Sequence, residues 1–333
     1  MVSDDSWVRG VLIDAYGARD ITPHELAGGP TKRLYRVERT EWPAWLVRSS
    51  PPAQGTVRWH ADAAVLVWLE SHAYPAPRVV RTLAGAPMLE GKHGSIFVTT
   101  FVDGAPLTES RQNLFLLGQT VGRLHALPTA TAGLGQASLP AAGMLPPPEL
   151  AFARSQLATV VSQVPAEQQE RFVMLAAACN RDDWHANLPV TLIHNDCHPG
   201  NSVSTPDGNV VLIDWEGAGL GPAILDLGFL LVSCAIPLPS GWDQDPPSPA
   251  WTLPAPDLGR LRSVIDGYRR ERLPSATELE QLPEAMRFRS LVAAACSLAQ
   301  QIRRGLREDP SPWWWARYIA SDALAEQARQ AFP

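Results

Sequence analysis

The spacing of apolar positions changes character as the chain proceeds. Residues 6–16, SWVRGVLIDAY, place apolar side chains three and four apart, which predicts a helix. ITPHELAG (21–28), RLYRVERT (33–40) and AWLVRSS (44–50) are short, rich in Val, Leu, Trp and Tyr and separated by turns, and they predict strands. Helical spacing returns over 60–71, HADAAVLVWLES, and APRVVRTL (76–83) and SIFVTTFV (95–102) predict two more strands. The first hundred residues therefore predict an α+β unit built on an antiparallel sheet. Asp103-Gly104-Ala105-Pro106 interrupts it, and a division into 1–103 and 104–333 follows. Beyond the break the pattern is mostly helical: 114–127, 149–163, 167–181, an apolar helix after Gly221-Pro222, then 257–272, 277–308 and 313–330. Loops are expected at 128–148 and in the Pro-rich stretch 236–256, and a strand-turn-strand segment at 191–214.

Composition narrows the class. With 333 residues, 45% hydrophobic and 19% charged, the chain can bury a sizeable core as one large domain or two lobes. A net charge of −6 argues against a groove that neutralises many phosphates, so no nucleic-acid partner is expected. No apolar run is long enough to span a membrane. No basic segment followed by an apolar run opens the chain, and Cys179, Cys197, Cys234 and Cys296 are too scattered for a disulfide framework. A cytoplasmic protein with reduced thiols is the expectation. Nothing calls for an obligatory protein partner. Lysine is scarce: only Lys32 and Lys92 among 28 basic residues, which restricts what can do lysine's work.

Residues 192–227, LIHNDCHPGNSVSTPDGNVVLIDWEGAGLGPAILDL, carry the chemistry. Pro206-Asp207-Gly208-Asn209 reads as a four-residue hairpin turn. It pairs 205 with 210, 204 with 211, 203 with 212 and 202 with 213, so that Asn201 next faces Asp214 at the hairpin mouth. An amide oxygen beside a carboxylate suits Mg²⁺, which takes few protein ligands and completes its shell with water and phosphate. Asp196, on the loop leading in, is placed to accept a proton from a substrate hydroxyl. His194-x-Asp196-x4-Asn201 has the spacing of a kinase catalytic loop, and Asp214 stands where kinases carry a second Mg²⁺-binding Asp. No G-x-x-x-x-G-K-[ST] occurs, which excludes a P-loop NTPase.

HNDCHPGN followed by IDWE resembles the aminoglycoside phosphotransferase and choline-kinase-like family, which typically reads H-G-D-x-H-x-x-N and then D-W/F-E. The matching positions are His194, Asp196, His198, Asn201, Asp214, Trp215 and Glu216, with Gly221-Pro222 and Asp226-Leu227 downstream. Asn195 replaces the usual Gly, and Asn is the non-Gly residue best able to adopt a left-handed backbone. The resemblance implies a two-lobed, protein-kinase-like fold: residues 1–103 form a nucleotide-binding lobe with a small antiparallel sheet and one helix, and 104–333 a mostly helical lobe with the catalytic hairpin. It implies a phosphotransferase that uses ATP or GTP with Mg²⁺ to phosphorylate a hydroxyl of a small molecule. Asp196 would be the base, Asn201 and Asp214 the metal ligands, and His194, His198 and Asp226 supports of the loop. On the nucleotide side, Gly28 and Gly29 would form the turn over the phosphates, with Lys32 adding a contact. Arg48 would take the place of the strand cation, paired with Asp62 on the following helix, and Thr99, Thr100, Phe101 and Val102 the hinge against the purine.

The acceptor is less constrained. Glu216, Trp242, Asp243 and Asp245 combine acidic and aromatic groups that suit a cationic amine or amino sugar, such as an aminoglycoside-like antibiotic, with antibiotic resistance as the role. A kinase of choline, ethanolamine, homoserine or a sugar is the alternative. Readings of other classes are a non-catalytic nucleotide-binding scaffold and a metal-dependent hydrolase using His194, Asp196 and His198. The run Trp313-Trp314-Trp315 reads first as inter-helix packing.

Overall fold

A computed structural model describes residues 4–28, 32–51, 56–92, 94–128, 139–181, 184–237 and 255–332. Helix α1 (Asp4–Tyr16) precedes three strands, β1 (Ile21–Gly28), β2 (Arg33–Arg39) and β3 (Trp42–Ser50). Helix α2 (Thr56–Ser71) follows, then β4 (Leu89–Gly91) and β5 (Gly94–Thr100). These strands form one antiparallel sheet in the order β1-β2-β3-β5-β4. The sheet is held because β3 and β5 are buried along nearly their whole length, Val47, Ile96, Phe97 and Val98 being fully covered.

Residues 76–83 do not form the predicted strand. They make a single bridge, Val79 with Thr99, and two backbone hydrogen bonds, Val80 N–H to Val98 O and Thr100 N–H to Arg78 O. Pro75 and Pro77 cannot donate to a ladder, so the segment only leans on the edge of β5 that β4 also uses.

A two-residue strand β6 (Ala105–Pro106) leads into α3 (Arg111–His125), followed by α4 (Pro146–Ala158) and α5 (Gln169–Ala178). Strands β7 (Val190–Ile193), β8 (Ser202–Ser204), β9 (Val210–Leu212) and β10 (Gly219–Pro222) are formed by the 190–222 stretch. Helices α6 (Ala223–Ala235), α7 (Leu258–Tyr268), α8 (Ala276–Arg304) and α9 (Pro312–Ala331) complete the fold. Helix α6 is buried at every residue, which explains a sequence that is apolar apart from Asp226 and Ser233. Helix α8 begins with a capping box, the Ser275 hydroxyl accepting from Glu278 N–H while the Glu278 carboxylate accepts from Ser275 N–H. Helices α3 and α7 meet at glycines: a Cβ on Gly267 would collide with Phe115 O, and one on Gly122 would lie 2.7 Å from Tyr268 O.

The largest core cluster joins both parts of the chain. It takes in Trp59, Leu66 and Leu69 of α2, Phe97 of β5, Leu117 and Val121 of α3, and Leu227 and Leu231 of α6. A separate cluster packs α1 against the inner strands β2 and β3 through Val8, Leu12, Tyr35 and Val47. Cys179, Cys197 and Cys234 are buried and free, and Cys296 is half-buried and free. Among the described residues no helix is long and apolar enough to cross a membrane.

Candidate active site

The loop between β7 and β8 is fixed from beneath. The Asp226 carboxylate accepts from the backbone N–H of His194 (2.7 Å) and of Asn195 (2.7 Å). It also lies 3.2 Å from His125 Nε2. Burial alone would raise the Asp226 pKa, but hydrogen bonding and charge from His125 and His194 outweigh it and hold the acid below its ordinary value. Burial holds His125 below its ordinary value against the opposing Asp226 carboxylate, and its Nδ1 lies 3.0 Å from the Tyr268 hydroxyl. Tyr268 in turn accepts from Arg272 (2.9 Å), which pairs with Glu278 (2.7 Å). This buried relay ties α7 and the start of α8 to the β7–β8 loop.

The loop then turns sharply. Asn195 has φ +67°, the left-handed conformation its side chain tolerates, and its Nδ2 donates to Gly217 O at 3.2 Å. That turn presents Asp196, whose Oδ2 accepts from Asn201 Nδ2 at 2.9 Å. A second bond from the same nitrogen reaches Asp196 O at 3.1 Å. The Asn201 amide oxygen takes part in neither. His194 lies fully buried, its Nε2 2.9 Å from Ile213 O and its ring 4.6 Å from that of Trp215. His198 accepts from Gly200 N–H at Nδ1, with Nε2 3.9 Å from Asp196 Oδ2.

The hairpin register differs by one residue from the spacing argument. Ser202 pairs with Leu212, Val203 with Val211 and Ser204 with Val210, and Ile213 N–H donates to Asn201 O. The turn is a three-residue loop: Thr205 N–H bonds Asn209 O, and Gly208, at φ +81°, supplies the left-handed residue that closes it. Asn201 therefore faces Ile213, and Asp214 is the first residue beyond the ladder. Asp214 is exposed and itself left-handed, φ +59°. Both residues still sit at the hairpin mouth, and both offer hard oxygens. An amide oxygen free of protein donors beside an exposed carboxylate fits Mg²⁺.

On the sheet side, Arg48 lies on β3 with 8% of its side chain exposed, its Nε 3.3 Å from Glu216 Oε1. Lys32 Nζ lies 2.6 Å from the same oxygen. The predicted Arg48–Asp62 pair is not made. Asp62 pairs with Arg58 one turn earlier on α2 (3.0 Å), and Arg58 also donates to Ala218 O at 3.0 Å. The i,i+4 partner on the same helix is closer at hand than a cation on the sheet. Burial pushes the Asp62 carboxyl up to about 6; Glu216 adds to this, while Arg58, Arg48 and the Gly217 amide oppose it. Glu216, read from sequence as an acceptor contact, instead faces the two cations.

Thr99 and Thr100 end β5, and Phe101 continues the pairing through its N–H to Ala44 O (2.9 Å), with its ring 4.4 Å from the Arg36 guanidinium carbon. Val102 follows, half-buried. Gly28 ends β1, whereas Gly29 lies outside the described residues, as do Trp242, Asp243 and Asp245.

A cavity of about 320 Å³ opens beside Asp196, lined by Met144, Glu149, Phe229, Phe288, Arg289, Val292, Ala293 and Trp314. Only Asp196 among these was singled out from sequence as a site residue. Trp314, from the tryptophan run, stacks on Phe229 of α6 (ring centroids 6.5 Å), the inter-helix packing expected of it, and also lines the cavity. Among the described residues no three His, Cys, Asp or Glu side chains gather in a metal-binding cluster.

Comparison with known proteins decides the family. The model of the phosphotransferase enzyme family matches residues 22–273. The chain belongs to that family. It is accordingly a phosphotransferase, and its α+β architecture is the kinase-like fold of that family. Solved structures agree on the fold. Amicoumacin kinase, in complex with AMP-PNP, Ca²⁺ and amicoumacin, is 15% identical, with 96% of this chain and 93% of that one covered and a TM-score of 0.65. A spectinomycin phosphotransferase bound to ADP and spectinomycin is 15% identical, covering 99% and 100%, with a TM-score of 0.61. Choline kinase from Cryptosporidium parvum is 15% identical, covering 97% and 96%, with a TM-score of 0.62. No curated protein sequence matches the chain.

Proposed function

We propose that this phosphotransferase moves the γ-phosphoryl group of ATP or GTP to a hydroxyl of a small molecule seated in the cavity beside Asp196. The observation that carries the reading is the catalytic loop. Two amides bonded to Asp226, a left-handed Asn195 and the Asn201 amide together aim Asp196 at that cavity from the hairpin mouth. In the reaction the acceptor oxygen bonds to the γ-phosphorus as the bond to the β,γ-bridging oxygen breaks. The nucleoside diphosphate departs with that electron pair, and the hydroxyl proton passes to Asp196. Asp196 Oδ1 is the oxygen available for it, since Oδ2 is bonded to Asn201. Asn201 and Asp214 would hold Mg²⁺, which neutralises charge on the β- and γ-phosphates when bound. Arg48 and Lys32 supply positive charge on the nucleotide side once a phosphate displaces Glu216. At the Thr99–Val102 hinge, Val102 lies beyond the last sheet hydrogen bond at Phe101 and would offer backbone groups to the purine, and Gly28 would begin the turn over the phosphates.

An acceptor with an amine is favoured by the structural neighbours, which include kinases of amicoumacin, spectinomycin and choline, and by Glu149 in the cavity wall. A role in antibiotic resistance or in amino-alcohol metabolism follows from which acceptor is used. The test is an ADP- and GDP-release screen over hydroxyl-bearing small molecules, with Asp196→Asn as the blank. Acceptor-dependent release by the wild type alone supports the reading. Nucleotide that binds but is never consumed, whatever the acceptor, would identify a scaffold instead.

A further inference from the structure

The wall of the cavity contains a cation that sequence reading did not anticipate. Arg289, on α8, has 16% of its side chain exposed. Its donors are poorly used. Nη1 reaches only the Met144 thioether, a weak acceptor, at 2.7 Å. Nη2 is buried without a hydrogen bond, its ion-pair partner Asp196 Oδ1 lying 3.6 Å away. The guanidinium carbon sits 5.1 Å over the Phe229 ring. Burial disfavours its charged form, opposed by Asp196, Asp226 and Glu149, yet a guanidinium stays protonated. A buried, charged donor short of acceptors is costly, and a planar anion supplies what it lacks in a bidentate contact.

We propose that Arg289 recognises a carboxylate on the acceptor, close to the hydroxyl that is phosphorylated. The inference rests on the phosphotransferase reading of the Asp196 site and names its substrate class. Geometry limits the spacing. Asp196 Oδ1 and Arg289 Nη2 are 3.6 Å apart. With those two atoms so placed, a hydroxyl about 2.6–3.2 Å from the first and a carboxylate oxygen about 2.7–2.9 Å from the second can be no more than about 10 Å apart. A 2- or 3-hydroxy acid meets that condition. The remaining lining, Phe229, Phe288, Val292 and Trp314, is apolar and suits a hydrocarbon or aromatic substituent. Glu149 adds a second carboxylate to the wall, which an ammonium on the hydroxy acid would face while its carboxylate faces Arg289.

The test compares 3-phenylserine with its carboxamide, which keeps the hydroxyl, the amine and the ring and loses only the negative charge. Calorimetric titration of the nucleotide-free protein reads binding without any turnover. The acid is expected to bind at least about tenfold more tightly than the amide. Arg289→Gln should remove that preference and Arg289→Lys retain part of it. Equal binding of the pair by the wild type, failure of both to bind, or a preference that survives Arg289→Gln overturns the inference. The wild-type comparison decides even if a variant does not fold. Failure of the phosphotransferase reading would show differently, as no acceptor-dependent ADP release from any compound while the carboxylate preference stands.

Discussion

Asp62 is a carboxyl group with 2% of its side chain exposed, held on α2 by Arg58. Its pKa of about 6 in the folded protein stands above the ordinary 3.8. The folded state therefore keeps a proton that the unfolded chain releases between these values. Stability contributed by this group is present at pH 4, falls as pH rises towards 6, and is level above that, a loss on the order of 2–3 kcal/mol at most. Denaturant titrations across this range should show that decline in the wild type and its absence in Asp62→Asn; identical slopes would contradict the assignment. The neighbouring Arg48 illustrates a different point. Its position on β3 was readable from sequence, but its partner was not, because pairing with Glu216 needs the β9–β10 connection folded against the sheet. Arg48→Ala should raise the nucleotide KM by about tenfold or more, equivalent to about 1.4 kcal/mol of lost binding. An unchanged KM in steady-state kinetics would remove Arg48 from the nucleotide site.

Among the secondary elements, α3 and α7 owe their close approach to glycines. At Gly267 an added methyl would meet the backbone oxygen of Phe115, and backbone cannot swing aside as a side chain can. Gly267→Ala should cost about 1–3 kcal/mol and lower the Tm by several degrees. A melting curve that superimposes on the wild type would refute this packing account. The catalytic hairpin shows where reading elements from sequence stops. Pro206, Asp207 and Gly208 announce a turn, but the same residues serve a four-residue or a three-residue loop. Only the left-handed Gly208 and the Thr205–Asn209 bond select the latter. Because side chains alternate along a strand, that one-residue difference moves Asp214 off the ladder.

Across the whole molecule, local pattern carried far. All nine predicted helical stretches and the strands at 21–28, 33–40, 44–50 and 95–102 have counterparts in the fold, since each follows from spacing within a short segment. The left-handed Asn195 was also anticipated, because residue type alone suggests it. Contacts between distant segments were not legible. The relay Glu278–Arg272–Tyr268–His125–Asp226 draws on four helices and a loop. His125 gave one faint signal, a histidine on the apolar face of α3. Arg289, one arginine among many, gave none. The failed strand at 76–83 was decided by two prolines whose effect the Val and Leu content masked.

The most direct test of the central claim is the turnover of Asp196→Asn, measured with an acceptor found active for the wild type and alongside nucleotide affinity. The account predicts that kcat falls by about 10²–10⁴-fold while the nucleotide Kd stays within about twofold. Wild-type kcat in Asp196→Asn would show that the proton acceptor lies elsewhere.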